Sequence, residues 1–274
     1  MFSSIRLVFS LLIAGFILAS CSSKSLIRPG DTIEIAFEKA VNQYERGRYG
    51  DAARAFETVL SIARGTEFAS EAQFYLAESY FNNREYLIAA TEYRRHYTNY
   101  PRVENRLESE FKEALSYYRI TPRYNLDQTN GRQALELFDL FVSRYPNSGY
   151  VAESMEYIDD LRNRQARKMY GGADLYMRMR QYDAAAIYYG LVLDNYPETK
   201  WAEQALVDQI NAYIIYADNS VEERQPERYQ MAIDSYLRYI QVFPRGENRS
   251  RAEAYYDVAR VSFARASQQL SSRE

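Results

Sequence analysis

One cysteine, one histidine and one tryptophan occur in 274 residues. Cys21 has no second cysteine in the chain to pair with, so an intramolecular disulfide cannot form. His96 stands alone, and no His-Glu-x-x-His element supplies a zinc site. No Gly-x-Gly or Gly-Lys-Ser/Thr segment is present to cradle a phosphate. Eleven glycines and 7 prolines are too few for a turn-rich all-β protein. The charges, 34 basic against 37 acidic, nearly balance at -3 and are interspersed, so no basic stripe exists to neutralise a nucleic-acid backbone. Acidic pairs such as Asp159-Asp160 and Glu222-Glu223 fall in polar surroundings and read as solvated faces. These absences predict a protein that is not an enzyme, needs no cofactor or metal and does not bind nucleic acid.

What is abundant is aromatic and helical. The chain holds 27 tyrosines and 13 phenylalanines, and many of them recur in one phrase: a small alanine, an aromatic four residues later, a bulky residue at the seventh, and proline at the twelfth. The copies are Ala89-Tyr93-His96-Pro101, Ala134-Phe138-Phe141-Pro146, Ala185-Tyr189-Val192-Pro197 and Ala232-Tyr236-Tyr239-Pro244. A fainter copy, Ala52-Phe56-Val59, lacks the proline. Residues spaced by four and seven share a helix face, and proline ends the helix. A unit of this size cannot bury its own apolar face, so it must stack on neighbours. The fold class expected is all-α: a right-handed solenoid of about five helix pairs with a capping helix at the C-terminus.

Boundaries follow from the same signals. Asp31 and Glu34 read as a capping box for a first helix over Ile33–Arg46, turning at Gly47-Arg48 into a second over Tyr49–Arg64. Repeat two should begin at Ser70 as N-cap and turn at Asn82-Asn83. Repeat three has its first helix near Leu107–Arg119 and a loop over Thr121–Asn130. Repeat four should open around Ala166, and repeat five near Trp201 with an insertion over Asp218–Pro226. A last helix runs from Arg249 to about Leu270. Domain organisation is read as residues 1–20 removed, 21–30 a tether, and 31–274 one repeat array: N-terminal repeats to about 105, a middle repeat over 106–150, C-terminal repeats and cap over 151–270.

At the N-terminus, Arg6 precedes the apolar run Leu7–Ala19. A bilayer span needs about 20 such residues, so this run is too short for one. Leu18-Ala19-Ser20-Cys21 resembles the bacterial lipoprotein signal. That resemblance implies cleavage before Cys21, lipidation of its thiol and acylation of its new amine. Several acyl chains, at ~0.8 kcal/mol per buried CH₂, anchor a protein firmly to a membrane. Ser22 in the next position resembles the outer-membrane sorting type, with the protein facing the periplasm.

The repeated phrase resembles the tetratricopeptide repeat, whose unit is about 34 residues. The repeats here are longer, with the corresponding alanines 37 to 51 residues apart. The whole pattern, with Leu126-Asp127-Gln128-Thr129 before Ala134, Tyr145-Pro146-Asn147-Ser148-Gly149-Tyr150 and Leu193–Thr199, is similar to the BamD family of outer-membrane β-barrel assembly lipoproteins. The resemblance implies a scaffold that binds the POTRA-bearing barrel subunit, accessory lipoproteins and unfolded outer-membrane proteins. Substrates would meet the N-terminal repeats, and the barrel subunit the region from Ala166 to Leu270. Glycan capture, polymer export and pilus assembly are the alternative tasks for a lipoprotein built on such repeats.

The candidate site is a peptide groove. In the register set by Ala52 and Ala89, Phe37, Val41 and Tyr44 face the groove from repeat one. Phe74 and Phe81 do so from repeat two, beside Glu71 and Glu78. Such a surface suits a peptide with aromatic anchors. A shift of the first helix by one residue would put the same side chains in the core. Most of the remaining tyrosines, and His96, are expected in helix packing.

Overall fold

The structure, a computed structural model, describes residues 26–272, and Cys21 with its apolar leader lies outside the described residues. Among the described residues there are eleven α-helices and one short 3-10 turn, with no strand. None of these helices is long and apolar enough to cross a membrane. The described residues divide into two compact units, 26–106 and 107–272.

The first unit contains α1 (Ile33–Glu45), α2 (Tyr49–Ile62), α3 (Phe68–Asn82) and α4 (Tyr86–Asn99). Consecutive helices pack on each other, and α1 also packs on α3. That contact between first helices of successive pairs is the stacking a tetratricopeptide array requires. The phrase alanines explain it: Ala52 and Ala89 are fully buried, as are Phe56 and Tyr93 four residues on and Val59 and His96 at the seventh. A methyl side chain lets the partner helix approach, and the ring fills the space behind it.

Two local expectations are corrected here. Thr32, not Asp31, caps α1, its hydroxyl 3.5 Å from the Ile35 amide. Asp31 instead accepts from the Arg28 amide at 2.8 Å and pairs with Lys39 at 2.5 Å. Ser70 is not a cap either, because α3 begins two residues earlier at Phe68. Gly65 at φ 80° and the Thr66 hydroxyl, bonded to the Ala63 carbonyl at 2.7 Å, turn the chain sooner. Ser70 then lies inside the helix with its Oγ 3.3 Å from His96 Nε2.

The second unit contains α5 (Arg106–Arg119), α6 (Thr129–Arg144), α7 (Val151–Arg178), α8 (Tyr182–Asn195), α9 (Lys200–Asp218), α10 (Gln225–Val242) and α11 (Arg249–Ser271), with the 3-10 turn Glu222–Arg224 before α10. First helices again stack on one another, α7 on α9 and α9 on α11. The helix expected to open at Ala166 begins at Val151 and runs for 28 residues. Nothing between Ser154 and Ala166 breaks it, and its first half has its own work. Tyr157 packs on Phe138 of α6 at 5.3 Å and on Tyr118 of α5 at 4.4 Å, closing the preceding pair. Ala166 and Ala173, in the second half, pack into the cluster shared with α8 and α9. Pro226, read as a loop residue, sits in the first turn of α10, where its missing N–H costs nothing.

The proline phrase has one structural meaning throughout. Tyr100, Tyr145, Tyr196 and Phe243, each just before proline, all leave the helix with φ between -121° and -138° and ψ between 54° and 68°. The proline ring bars its predecessor from the helical region. Ala63, with no proline after it, ends α2 at φ -87° and ψ 4°.

Candidate peptide-binding face

On α1, Phe37 and Tyr44 are seven residues apart and share a face; on α3, Phe74 and Phe81 are likewise seven apart. The structure joins these two rows through Tyr75, which the sequence reading missed, and Tyr93 of the repeated phrase. Tyr75 packs on Phe37 at 6.2 Å, on Tyr44 at 5.3 Å and on Phe74 at 6.2 Å. It also stacks on Phe56 of α2 at 5.5 Å, nearly parallel. Tyr93 of α4 then links Phe74 at 6.3 Å to Phe81 at 6.2 Å. All four predicted aromatics therefore belong to one continuous ring network, and all four are half-buried. Phe68, Tyr75 and Asn82 form a third row at seven-residue spacing on α3. That spacing was readable and would have found Tyr75.

The two acidic candidates behave differently. Glu71 is exposed at the start of α3. Glu78 is buried, its carboxylate accepting from the Tyr44 hydroxyl at 3.3 Å and from the Tyr93 hydroxyl. Asn82 Nδ2 completes the arrangement, donating to the Tyr44 hydroxyl at 3.0 Å. Glu78 thus ties α1, α3 and α4 together. Burial first, then Glu71, Glu45 and Glu78, push the Tyr75 phenol up. Burial and Glu78 do the same to Tyr44. The face is aromatic with negative surroundings.

His96 is fully buried beside Phe74 at 5.4 Å and Tyr100 at 6.0 Å, as a packed core histidine should be. Burial pushes its imidazole down to about 4. Among the described residues no three His, Cys, Asp or Glu side chains gather to hold a metal.

In the second unit, Trp201 is half-buried against Tyr170 at 5.3 Å, part of the packing of α7 on α9. The Asp218–Pro226 segment presents Val221, 65% exposed. On α11, Val258 and Val261 are 50% and 51% exposed, one helical turn apart. Several other tyrosines share a further role: their hydroxyls donate to carboxylates on neighbouring helices. Examples are Tyr145 to Glu110 at 2.8 Å, Tyr170 to Asp208 at 2.5 Å, Tyr189 to Asp174 at 2.5 Å and Tyr239 to Glu203 at 2.9 Å.

The outer membrane protein assembly factor BamD of Rickettsia prowazekii is 24% identical over 214 residues, 77% of this chain and 84% of that protein. The protein of the same name from Caulobacter vibrioides is 22% identical over 210 residues, 75% of this chain and 69% of its own. Among solved structures, the TPR2AB-domain:pHSP90-complex of yeast Sti1 superposes at 12% identity and a TM-score of 0.41, over 89% of this chain and 96% of that one. So loose a superposition bears on neither ligand nor partner. The YfiO family, described as outer membrane lipoprotein, matches residues 30–228. The chain belongs to the YfiO family of outer membrane lipoproteins.

Proposed function

We propose that the chain is a lipid-anchored, periplasm-facing scaffold for the assembly of outer-membrane β-barrel proteins. The family match over residues 30–228 carries this reading, together with relatives that are outer membrane protein assembly factors. Cys21 supplies the anchor. The function is positioning by non-covalent contact, with no chemical step.

The two units divide the work. The α1–α3 face captures unfolded barrel substrates, its half-buried rings Phe37, Tyr44, Phe74 and Phe81 offering edges to aromatic side chains of an incoming segment. Glu71 gives the face its negative margin. The second unit docks the POTRA-bearing subunit and accessory lipoproteins, and the exposed apolar residues Val221, Val258 and Val261 support that assignment.

Affinity purification of the full-length chain from detergent-solubilised outer membrane, followed by mass spectrometry, tests the whole reading. A POTRA-bearing barrel protein should co-purify stoichiometrically. Recovery of a secretin or a TonB-dependent transporter in its place would transfer the scaffold to another envelope task. For the face itself, Phe74→Leu and Phe81→Leu keep apolar volume while removing the rings. Crosslinking to a barrel-derived peptide should fall several-fold; unchanged capture by a folded double variant would refute the assignment.

A further inference from the structure

We infer that the second unit holds a binding site for a single-chain anionic amphiphile, an acyl chain carrying one carboxylate or phosphate head, in a cavity between the start of α6, the middle of α7 and α8. The cavity has a volume of about 370 Å³. Met169 and Gly172 of α7, Tyr188 of α8 and Tyr196 just after it give the cavity apolar walls. This is the size and character of a small-ligand site. A member of a family of outer membrane lipoproteins meets acyl chains at its own membrane.

The walls favour hydrocarbon over anything that needs hydrogen bonds. Gln128 and Gln165 also line the cavity, but their polar atoms are engaged or covered. Gln128 Nε2 donates to the carbonyls of Arg123 at 2.9 Å and Leu126 at 3.3 Å. Gln165 Oε1 accepts from the Tyr196 hydroxyl at 3.1 Å. Gln128 Oε1 and Gln165 Nε2 are shut off from solvent, so an occupant does not reach them. A peptide group or a sugar entering here would give up its bonds to water without replacement. An acyl chain has none to give up and gains by leaving water.

The head group is chosen by charge. Arg132 and Lys168 line the same cavity, and both are exposed. Their hydrogen bonds go to uncharged oxygens: Lys168 Nζ to the Leu126 carbonyl at 2.8 Å, and Arg132 Nη2 to Thr129 Oγ1 at 3.1 Å. Their fields overlap at Asp127, whose carboxyl the Thr129 hydroxyl, then Arg132 and Lys168, hold below its ordinary value. Arg132 also reaches the Tyr196 phenol, where burial raises the pKa and Arg162 and Arg132 oppose the rise. Two cations against one carboxylate leave the rim positive, which favours an anionic head over a neutral or cationic one. Gly172 keeps room for the chain. A Cβ there would meet the Tyr188 ring at an ordinary 3.6 Å, so alanine fits, whereas a longer side chain would take up the cavity.

This site stands on the second unit alone and is independent of the α1–α3 face. The test titrates octanoate into the full chain in phosphatidylcholine nanodiscs, with methionine methyl groups labelled by ¹³C. The Met169 methyl signal should shift and saturate, while that of the exposed Met155 stays put. Octanol should bind roughly tenfold more weakly, for want of the charge. Changing Arg132→Gln and Lys168→Gln together should remove that preference and leave octanol binding as it was. Gly172→Ala should keep the response, and Gly172→Leu should abolish it with helicity unchanged. Octyl phosphate, run alongside, assigns the source: a stronger response than octanoate supports a phosphate-headed lipid, a weaker one a fatty acid. Shifts that do not saturate, equal binding of octanol, or a response untouched by Gly172→Leu would each overturn the inference. So would equal saturation by acetate, the mark of a plain anion site, or tighter binding of N-acetyl-phenylalanine, the mark of a site for a chain end.

Discussion

At the residue scale the most informative side chain is His96. Its imidazole is neutral in the fold, with a pKa of about 4 against an ordinary 6.5, because burial penalises the cation. As pH falls below 6.5 the unfolded chain takes up a proton that the folded chain refuses until about pH 4. Folding stability should therefore drop across that window, by at most ~1.4 kcal/mol per pH unit, and the loss should level off below it. Urea midpoints measured between pH 7 and pH 5 check this. His96→Phe should flatten the slope in that range, and an unchanged slope would mean another group titrates there. Tyr239 makes a second case. Its hydroxyl and the Asn248 amide, at 2.9 and 2.7 Å, both donate to Glu203 Oε1, which anchors the start of α11. Tyr239→Phe should cost about 1.5–3 kcal/mol, as loss of a hydrogen bond to a charged group does. Gly246→Ala would push a methyl into the same Glu203–Tyr239 pair. The two substitutions should then combine to less than their sum, because the phenylalanine removes one of the atoms the methyl meets.

At the scale of elements, three turns within helix pairs share one geometry. Gly47, Arg84 and Arg180 each take a positive φ of 60° to 71°, and in each turn the next residue's amide reaches back five residues to a helix carbonyl. Glycine adopts this conformation without steric cost, whereas a side chain pays about 1–2 kcal/mol. Arg84→Gly and Arg180→Gly should each raise stability by roughly 0.5–1 kcal/mol, part of the gain being lost to the freer unfolded chain. Thermal denaturation decides this, and a fall in Tm at both positions would show that the arginine side chains contribute more than the turn costs. Helix ends were the most legible feature because proline and glycine act locally. The start of α7 was illegible for the opposite reason. Its first half is amphipathic toward α5 and α6, and only that packing reveals it as one helix with the second half.

At the scale of the whole molecule, Val258 and Val261 form an uncovered apolar pair on α11. Replacing both with lysine should leave thermal stability within about 0.5 kcal/mol, as surface changes do. On the proposed function, recovery of a POTRA-bearing subunit in the affinity purification should nonetheless fall sharply. Normal co-purification would move the docking surface elsewhere in the second unit. The exposed Val221 is the next residue to change. Trp201 is a poorer probe, since its ring packs on Tyr170 and its removal would loosen α7 against α9 as well as any interface.

Much of this protein was determined by sequence alone. A recurring alanine, an aromatic four residues on and a closing proline encode helix, buried seam and stop, all within one or two turns of backbone. The aromatic candidates Phe37, Tyr44, Phe74 and Phe81 were readable from the same periodicity. The tertiary structure decided what those periodic faces touch. Glu78 turned out to be a buried acceptor for Tyr44 and Tyr93, 34 and 15 residues away. Arg132 and Lys168 were brought to one cavity from two different helices. Hydroxyl–carboxylate pairs and cavity walls join residues far apart in the chain, and a pattern that repeats every three or four residues holds no record of such distances.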